Sequence, residues 1–136
     1  MNIVIIDGQG GRLGALICEE LKRAFPDMTL LAIGTNSVAT AAMLKGGADL
    51  GATGENPVIV AARDADVIIG PIGILSADSL LGEVTPAMAV AVGQSKATKL
   101  LLPMNQGRCQ HRVIGAKNLS LTELVAETRE CLGSLL

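Results

Sequence analysis

Residues 2–25 read NIVIIDGQGGRLGALICEELKRAF, and the fold turns on how this stretch is parsed. Asn2-Ile3-Val4-Ile5-Ile6 is apolar and β-branched without polar alternation, the pattern of a strand buried on both faces. It runs through Asp7 into a glycine cluster, Gly8-Gln9-Gly10-Gly11-Arg12-Leu13-Gly14. Leu13, Leu16, Ile17, Leu21 and Ala24 follow at helical spacing, with Glu19, Glu20, Lys22 and Arg23 on the other face, and Pro26 ends the pattern. A strand, a glycine turn and an amphipathic helix make the first half of a βαβ unit.

The pattern repeats down the chain. Residues 29–33 read as a second strand, and Asn36 or Ser37 can cap a helix running through Leu44 to Gly46-Gly47. Residues 48–54 hold one short strand, and Asn56-Pro57 reads as an N-cap and first helical position for a helix to Arg63. Val67-Ile68-Ile69 is a buried strand ending in Gly70-Pro71-Ile72-Gly73, and residues 99–104 form another that ends at Asn105-Gln106-Gly107. Residues 112–114 suggest a last short strand, and Ser120-Leu121-Thr122-Glu123 is a capping box for a terminal helix. Thr85-Pro86-Ala87-Met88-Ala89-Val90-Ala91-Val92 alternates like a strand, but its alanines and Thr-Pro start favour a helix. Such a helix is apolar all round. It is covered either within the monomer or by a second subunit, so residues 87–92 are a candidate homo-oligomer surface. The expected architecture is α/β: one Rossmann-like domain over residues 1–136, a three-layer sandwich with a mainly parallel sheet.

In such a unit the first strand-to-helix turn binds phosphate. Glycines let the ligand approach the backbone, and the helix N-terminus offers unpaired N–H groups and a positive dipole. Gly8, Gly11 and Gly14 are spaced G-x-x-G-x-x-G, with Gly10 as an extra, so the usual GxGxxG does not fit. Arg12 opposes the helix dipole at a cost of roughly 0.3–1 kcal/mol when exposed, and a bound anion would reverse that sign. Many NAD binders carry an acid at the end of the second strand to hold the adenine ribose. Gly34-Thr35-Asn36-Ser37 stands there without one, which weighs against NAD and leaves NADP, a mononucleotide or another phosphorylated ligand open. Candidate binding residues are therefore Gly8, Gln9, Gly10, Gly11, Arg12, Leu13 and Gly14, with Thr35, Asn36 and Ser37. Gly70, Pro71, Ile72, Gly73 and Asn105 join them, because ligands of open α/β sheets lie beyond the carboxyl ends of the strands at the topological switch point.

Composition narrows the alternatives. The 136 residues hold 11 basic and 13 acidic side chains, and Phe25 is the one aromatic residue. Neither a basic stripe nor a stacking platform is present, so nucleic acid is not an expected partner. The uncharged run over residues 28–44 is broken by Gly34-Thr35-Asn36-Ser37, so no membrane span is expected. The first strand begins beside the initial Met1, so no secretory leader is expected. Cys18, Cys109 and Cys131 are odd in number without a CxxC, so a cytoplasmic location is expected. Catalytic signatures are thin: GxSxG, HExxH and a Walker lysine are missing. Cys109 and His111 would share one face of a strand, but two ligands beside Arg108 and Arg112 make a poor metal site, and none is expected. Asp7 beside the glycines reads first as a turn-stabilising acid and second as a ligand-orienting one. Glu55 and Asp78 read as helix-start or solvated loop acids.

Two resemblances can be stated on these residues. Gly11-Arg12-Leu13-Gly14 is similar to the cofactor turn of dihydrodipicolinate reductases, which implies a phosphate-holding role for Arg12; the likeness covers only the first βα unit. Over nearly its whole length the chain resembles an uncharacterised family of short bacterial proteins catalogued as a domain of unknown function. The matching strings include residues 5–11, Gly34-Thr35-Asn36-Ser37, residues 51–56, residues 69–73 and residues 85–95. That resemblance implies the Rossmann-like fold and no activity. The expected function is binding of a nucleotide or other phosphorylated small molecule at residues 8–14, as a sensor or regulatory module. The alternatives are a small NAD(P)-dependent oxidoreductase with an active site completed by oligomerisation, and a scaffold without ligand.

Overall fold

A computed structural model describes residues 1–103 and 111–136. The elements run β1 (Ile3–Asp7), α1 (Arg12–Ala24), β2 (Leu30–Gly34), α2 (Ser37–Lys45), β3 (Leu50–Thr53) and α3 (Glu55–Asp64). They continue with β4 (Val67–Pro71), a 3-10 turn (Ile72–Leu75), α4 (Pro86–Gln94), β5 (Thr98–Leu102) and α5 (Leu121–Leu135). All strand pairings are parallel, in the order β3-β2-β1-β4-β5. The chain has the α/β architecture that the sequence pattern predicts, a parallel sheet with helices on both faces. Order reverses at β1, so the crevice between the carboxyl ends of β1 and β4 is the topological switch point.

Period-two alternation splits the strands between two cores. Ile3, Ile5, Val67 and Ile69 pack with Leu13, Ile17 and Leu21 of α1, Met43 of α2 and Val125 and Leu132 of α5. Val4, Ile6, Ile33 and Ile68 pack on the other face with Val58 and Ala62 of α3 and Met88, Ala89 and Val92 of α4. β1 and β4 are buried throughout because both faces are covered.

Two local expectations are corrected. Helix α3 is capped by Gly54, not Asn56, and starts at Glu55. Pro57 is then its third residue, where the missing N–H costs nothing because first-turn amides have no intrahelical acceptor. Residues 112–114 form no strand: Ile114-Gly115 is a turn closed by the Ala116 N–H on the Val113 carbonyl, and Ile114 is 95% exposed. β-Branched propensity does not hold a strand without a sheet edge to pair with and a face to bury. The ambiguous apolar run is helical, with Thr85 as N-cap and Pro86 at the first helical position. It buries Met88, Ala89 and Val92 within the monomer and leaves Ala87 and Val90 exposed. Among the described residues no helix is long and apolar enough to cross a membrane.

Candidate functional site

The site is built on the turn between β1 and α1. Gly11 is the N-cap of α1 with φ +73, and a Cβ there would lie 2.7 Å from Ala39 Cα of α2. At Gly14 a Cβ would lie 2.9 Å from Asp7 Cβ and closer still to Met43. Both glycines are therefore required by the packing of the turn against β1 and α2. Gly10 differs: among the described residues nothing lies within 4 Å of a Cβ built on it.

Asp7 holds the turn from below. Its Oδ1 accepts the Gly8 N–H at 2.8 Å and its Oδ2 accepts the Gly14 N–H at 2.7 Å. Burial pushes the Asp7 carboxyl above its ordinary range, against the two amide bonds that favour its charged form, with the nearby Glu83 charge adding to the rise. With both oxygens engaged, Asp7 has the turn-stabilising role.

Glu83 holds the turn from above, and sequence reading missed it. Its Oε1 accepts the Gln9 N–H at 2.9 Å, the Thr35 hydroxyl at 2.7 Å and the Asn36 side-chain amide at 2.6 Å. Burial opposes its charge, but the bonds from Gln9, Thr35 and Asn36 outweigh it and hold the carboxyl below the ordinary range. Glu83 comes from the segment after the 3-10 turn, where Asp78, Leu80 and Leu81 all have positive φ. Each such residue costs about 1 kcal/mol over an ordinary conformation, so the surroundings must hold the segment in place. Several bonds do so: Asp78 N–H to the Val84 carbonyl at 2.7 Å, Gly82 N–H to the Asp78 carbonyl at 3.1 Å, and Ser79 Oγ to the Gly73 carbonyl. A signal existed in the sequence, a lone acid between a Leu-Leu-Gly turn and a helix start, but nothing local says which strand end it reaches.

The two bonds to Asp7, the one to Glu83 and the Gly11 N–H on the Gly8 carbonyl leave a defined set of donors. Among the described residues, the N–H groups of Gly10, Arg12 and Leu13 donate no hydrogen bond. They border a cavity of about 950 Å³ formed by residues 7–13, Pro71, Ile72 and Gly73, residues 76–81 and His111. Arg12 is exposed at its rim. The structure thus brings Gly8, Gln9, Gly10, Gly11, Arg12 and Leu13 together with Pro71, Ile72 and Gly73 around one cavity. Gly14 lies behind it on Asp7, and Gly70 is buried inside β4. Thr35 and Asn36 are bonded to Glu83, Asn36 Oδ1 also caps α2 through the Ala39 N–H, and exposed Ser37 begins that helix. None of the three lines the cavity. Asn105, Gln106 and Cys109 lie outside the described residues.

Cys18 is sealed in the core, its thiol pushed up to about 12 by burial first and by the Asp7 charge next. Among the described residues no group of three or more His, Cys, Asp and Glu side chains comes together to hold a metal ion. A second groove of about 510 Å³ lies between β5 and α5 with mostly apolar walls. No curated protein and no solved structure matches the chain. One family does, over residues 2–135, and the chain belongs to it: the domain of unknown function DUF3842.

Proposed function

We propose that the chain binds a phosphorylated small molecule or nucleotide, with its phosphate on the turn of residues 8–14. The observation that carries this reading is the set of undonated N–H groups of Gly10, Arg12 and Leu13, opening on a large cavity at the switch point of a parallel sheet. Asp7 takes the Gly8 and Gly14 amides, Glu83 that of Gln9 and the Gly8 carbonyl that of Gly11, which fixes the shape of the turn, so these donors are already oriented before a ligand arrives. Arg12 supplies the counter-charge, in keeping with the likeness of its Gly-Arg-Leu-Gly string to the reductase turn. Among the described residues, the titratable groups around the cavity are Asp7, Arg12, Asp78 and His111. Asp7 has both oxygens on amides, which favours binding and sensing over acid-base chemistry. A second reading makes the nucleotide NAD(P) and completes the site by oligomerisation; the outward Ala87 and Val90 of α4 speak for it, and sedimentation tests it.

The sequence contains neither Trp nor Tyr, so the protein absorbs almost nothing near 280 nm and a co-purified nucleotide is visible directly. Freshly purified protein is expected to show a band near 260 nm, with the compound released on denaturation and weighed by mass spectrometry. If nothing is released, titration with inorganic phosphate and AMP takes its place. Gly10→Asp has room in the fold and sets a carboxylate among the phosphate donors. It is expected to lower affinity about tenfold or more with an unchanged circular dichroism spectrum, since a charged hydrogen bond and a nearby like charge are together worth at least 1.4 kcal/mol. Equal affinity in Gly10→Asp removes the turn from the site.

A further inference from the structure

In open sheets of this strand order a dinucleotide spans both halves of the crevice, with its adenosine ribose beside the carboxyl end of β2. In this chain that place is taken. The Glu83 carboxylate sits on Thr35 and Asn36, the first two residues after β2, and on the Gln9 amide of the turn. Leu80 of the same segment covers Gly8: a Cβ at Gly8 would lie 2.8 Å from Leu80 Cδ1 and 3.1 Å from Glu83 Oε1. The segment is anchored at both ends, by Ile74 and Val84 in the core under α3 and α4. The cavity accordingly reaches the turn, the end of β4 and residues 76–81, and stops short of Thr35 and Asn36. A 2′-phosphate arriving at the end of β2 would also meet a carboxylate of its own sign.

Resting on the phosphate reading above, we propose that Glu83 is the specificity-determining residue of this site. It latches the 76–84 segment across the β2 side, so that the site takes ligands with one phosphate-bearing unit, up to a mononucleotide, and excludes dinucleotides. The class of ligand follows from the half of the crevice left open. Glu83 acts by position: its carboxylate bonds the Gln9 amide of the turn and Thr35 and Asn36 at the β2 end, and it is not among the residues that line the cavity.

The test is calorimetric titration of the full chain, Glu83→Ala and Glu83→Gln with inorganic phosphate, AMP and NAD, folding being checked by circular dichroism. The wild type is expected to bind phosphate and AMP and to bind NAD about tenfold more weakly than AMP or worse. Glu83→Ala opens the latch and brings NAD to within about threefold of AMP, with phosphate as the reference for the lost charge. Glu83→Gln keeps an oxygen that can accept the same three bonds, and it should retain the discrimination against NAD. If NAD binds the wild type as well as AMP does, the proposal is overturned while the phosphate reading stands. A Glu83→Ala chain that loses AMP affinity overturns it too, making Glu83 a ligand contact. Discrimination lost equally in Glu83→Gln would show charge repulsion in place of a latch. No binding of any of the three probes, by wild type or variant, overturns the phosphate reading itself and the proposal with it.

Discussion

At the scale of single residues, the two neighbouring glycines of the turn have different reasons to be glycine, and they should respond differently to substitution. Gly11 is left-handed and presses on the Ala39 backbone, so Gly11→Ala combines an unfavourable φ with a clash that backbone cannot relieve cheaply. A loss of about 2–4 kcal/mol is expected in urea unfolding followed by circular dichroism. Gly10→Ala has neither problem and should stay within about 0.5 kcal/mol of wild type, or gain slightly because the unfolded chain loses freedom. Equal losses at both positions would mean the turn is not built as described. The two carboxylates on the turn titrate in opposite senses. Glu83 is held below its ordinary 4.5, so its contribution is full above that pH and is lost as pH falls through the folded value. Asp7 is raised above 3.8; its favourable contribution is complete below 3.8 and declines as pH rises through the folded value. Thermal melts of wild type and Glu83→Gln should therefore differ in favour of wild type at pH 6 and converge as pH falls below 4.5. A gap that widens in acid contradicts the three-bond carboxylate.

At the scale of elements, most of the fold was legible because its strands and helices are locally consistent. The β-branched runs of β1 and β4, the helical spacing of α1 and the Ser120 capping box each name their own structure without tertiary help. The capping box is complete, with the Glu123 N–H on Ser120 Oγ at 3.2 Å and the Ser120 N–H on Glu123 Oε1 at 3.0 Å. Ser120→Ala should therefore cost about 1 kcal/mol, a fall of about 3–5 °C in Tm, and an unchanged Tm would show that α5 is held by its packed face alone. The misread elements are those where context outweighs propensity. Asn56 looks like a cap, yet the left-handed Gly54 turns the chain into the helix two residues earlier. Val113 and Ile114 look like a strand but find no partner strand among the described residues. In the candidate site, the glycine turn and the loop after β4 were readable from position alone. Glu83 was not, because its place on the turn depends on three non-glycine residues adopting positive φ, which neither propensity nor periodicity encodes.

At the scale of the whole molecule, the two cores share one sheet, and opening either face exposes strands that the other also uses. Such a domain should open to its centre only by unfolding as a unit. Cys18 reports on that event. It is fully buried between α1 and the sheet, with its thiol raised to about 12, whereas Cys131 on α5 is exposed. Alkylation read peptide by peptide should thus modify Cys18 about a thousandfold or more slowly than Cys131, since a stability of at least 5 kcal/mol leaves so little of the chain open. Linkage extends the measurement to function. A ligand that binds only the folded chain, present at a hundred times its Kd, adds about 2.7 kcal/mol and slows Cys18 labelling about a hundredfold. Phosphate or AMP on the turn should produce that slowing although neither touches Cys18, and Cys131 serves as the internal reference for reagent and pH. Labelling of Cys18 within tenfold of Cys131 would show that the α1 face opens on its own. A rate indifferent to both anions at concentrations well above a millimolar Kd would show that the turn's three idle amides hold no phosphate.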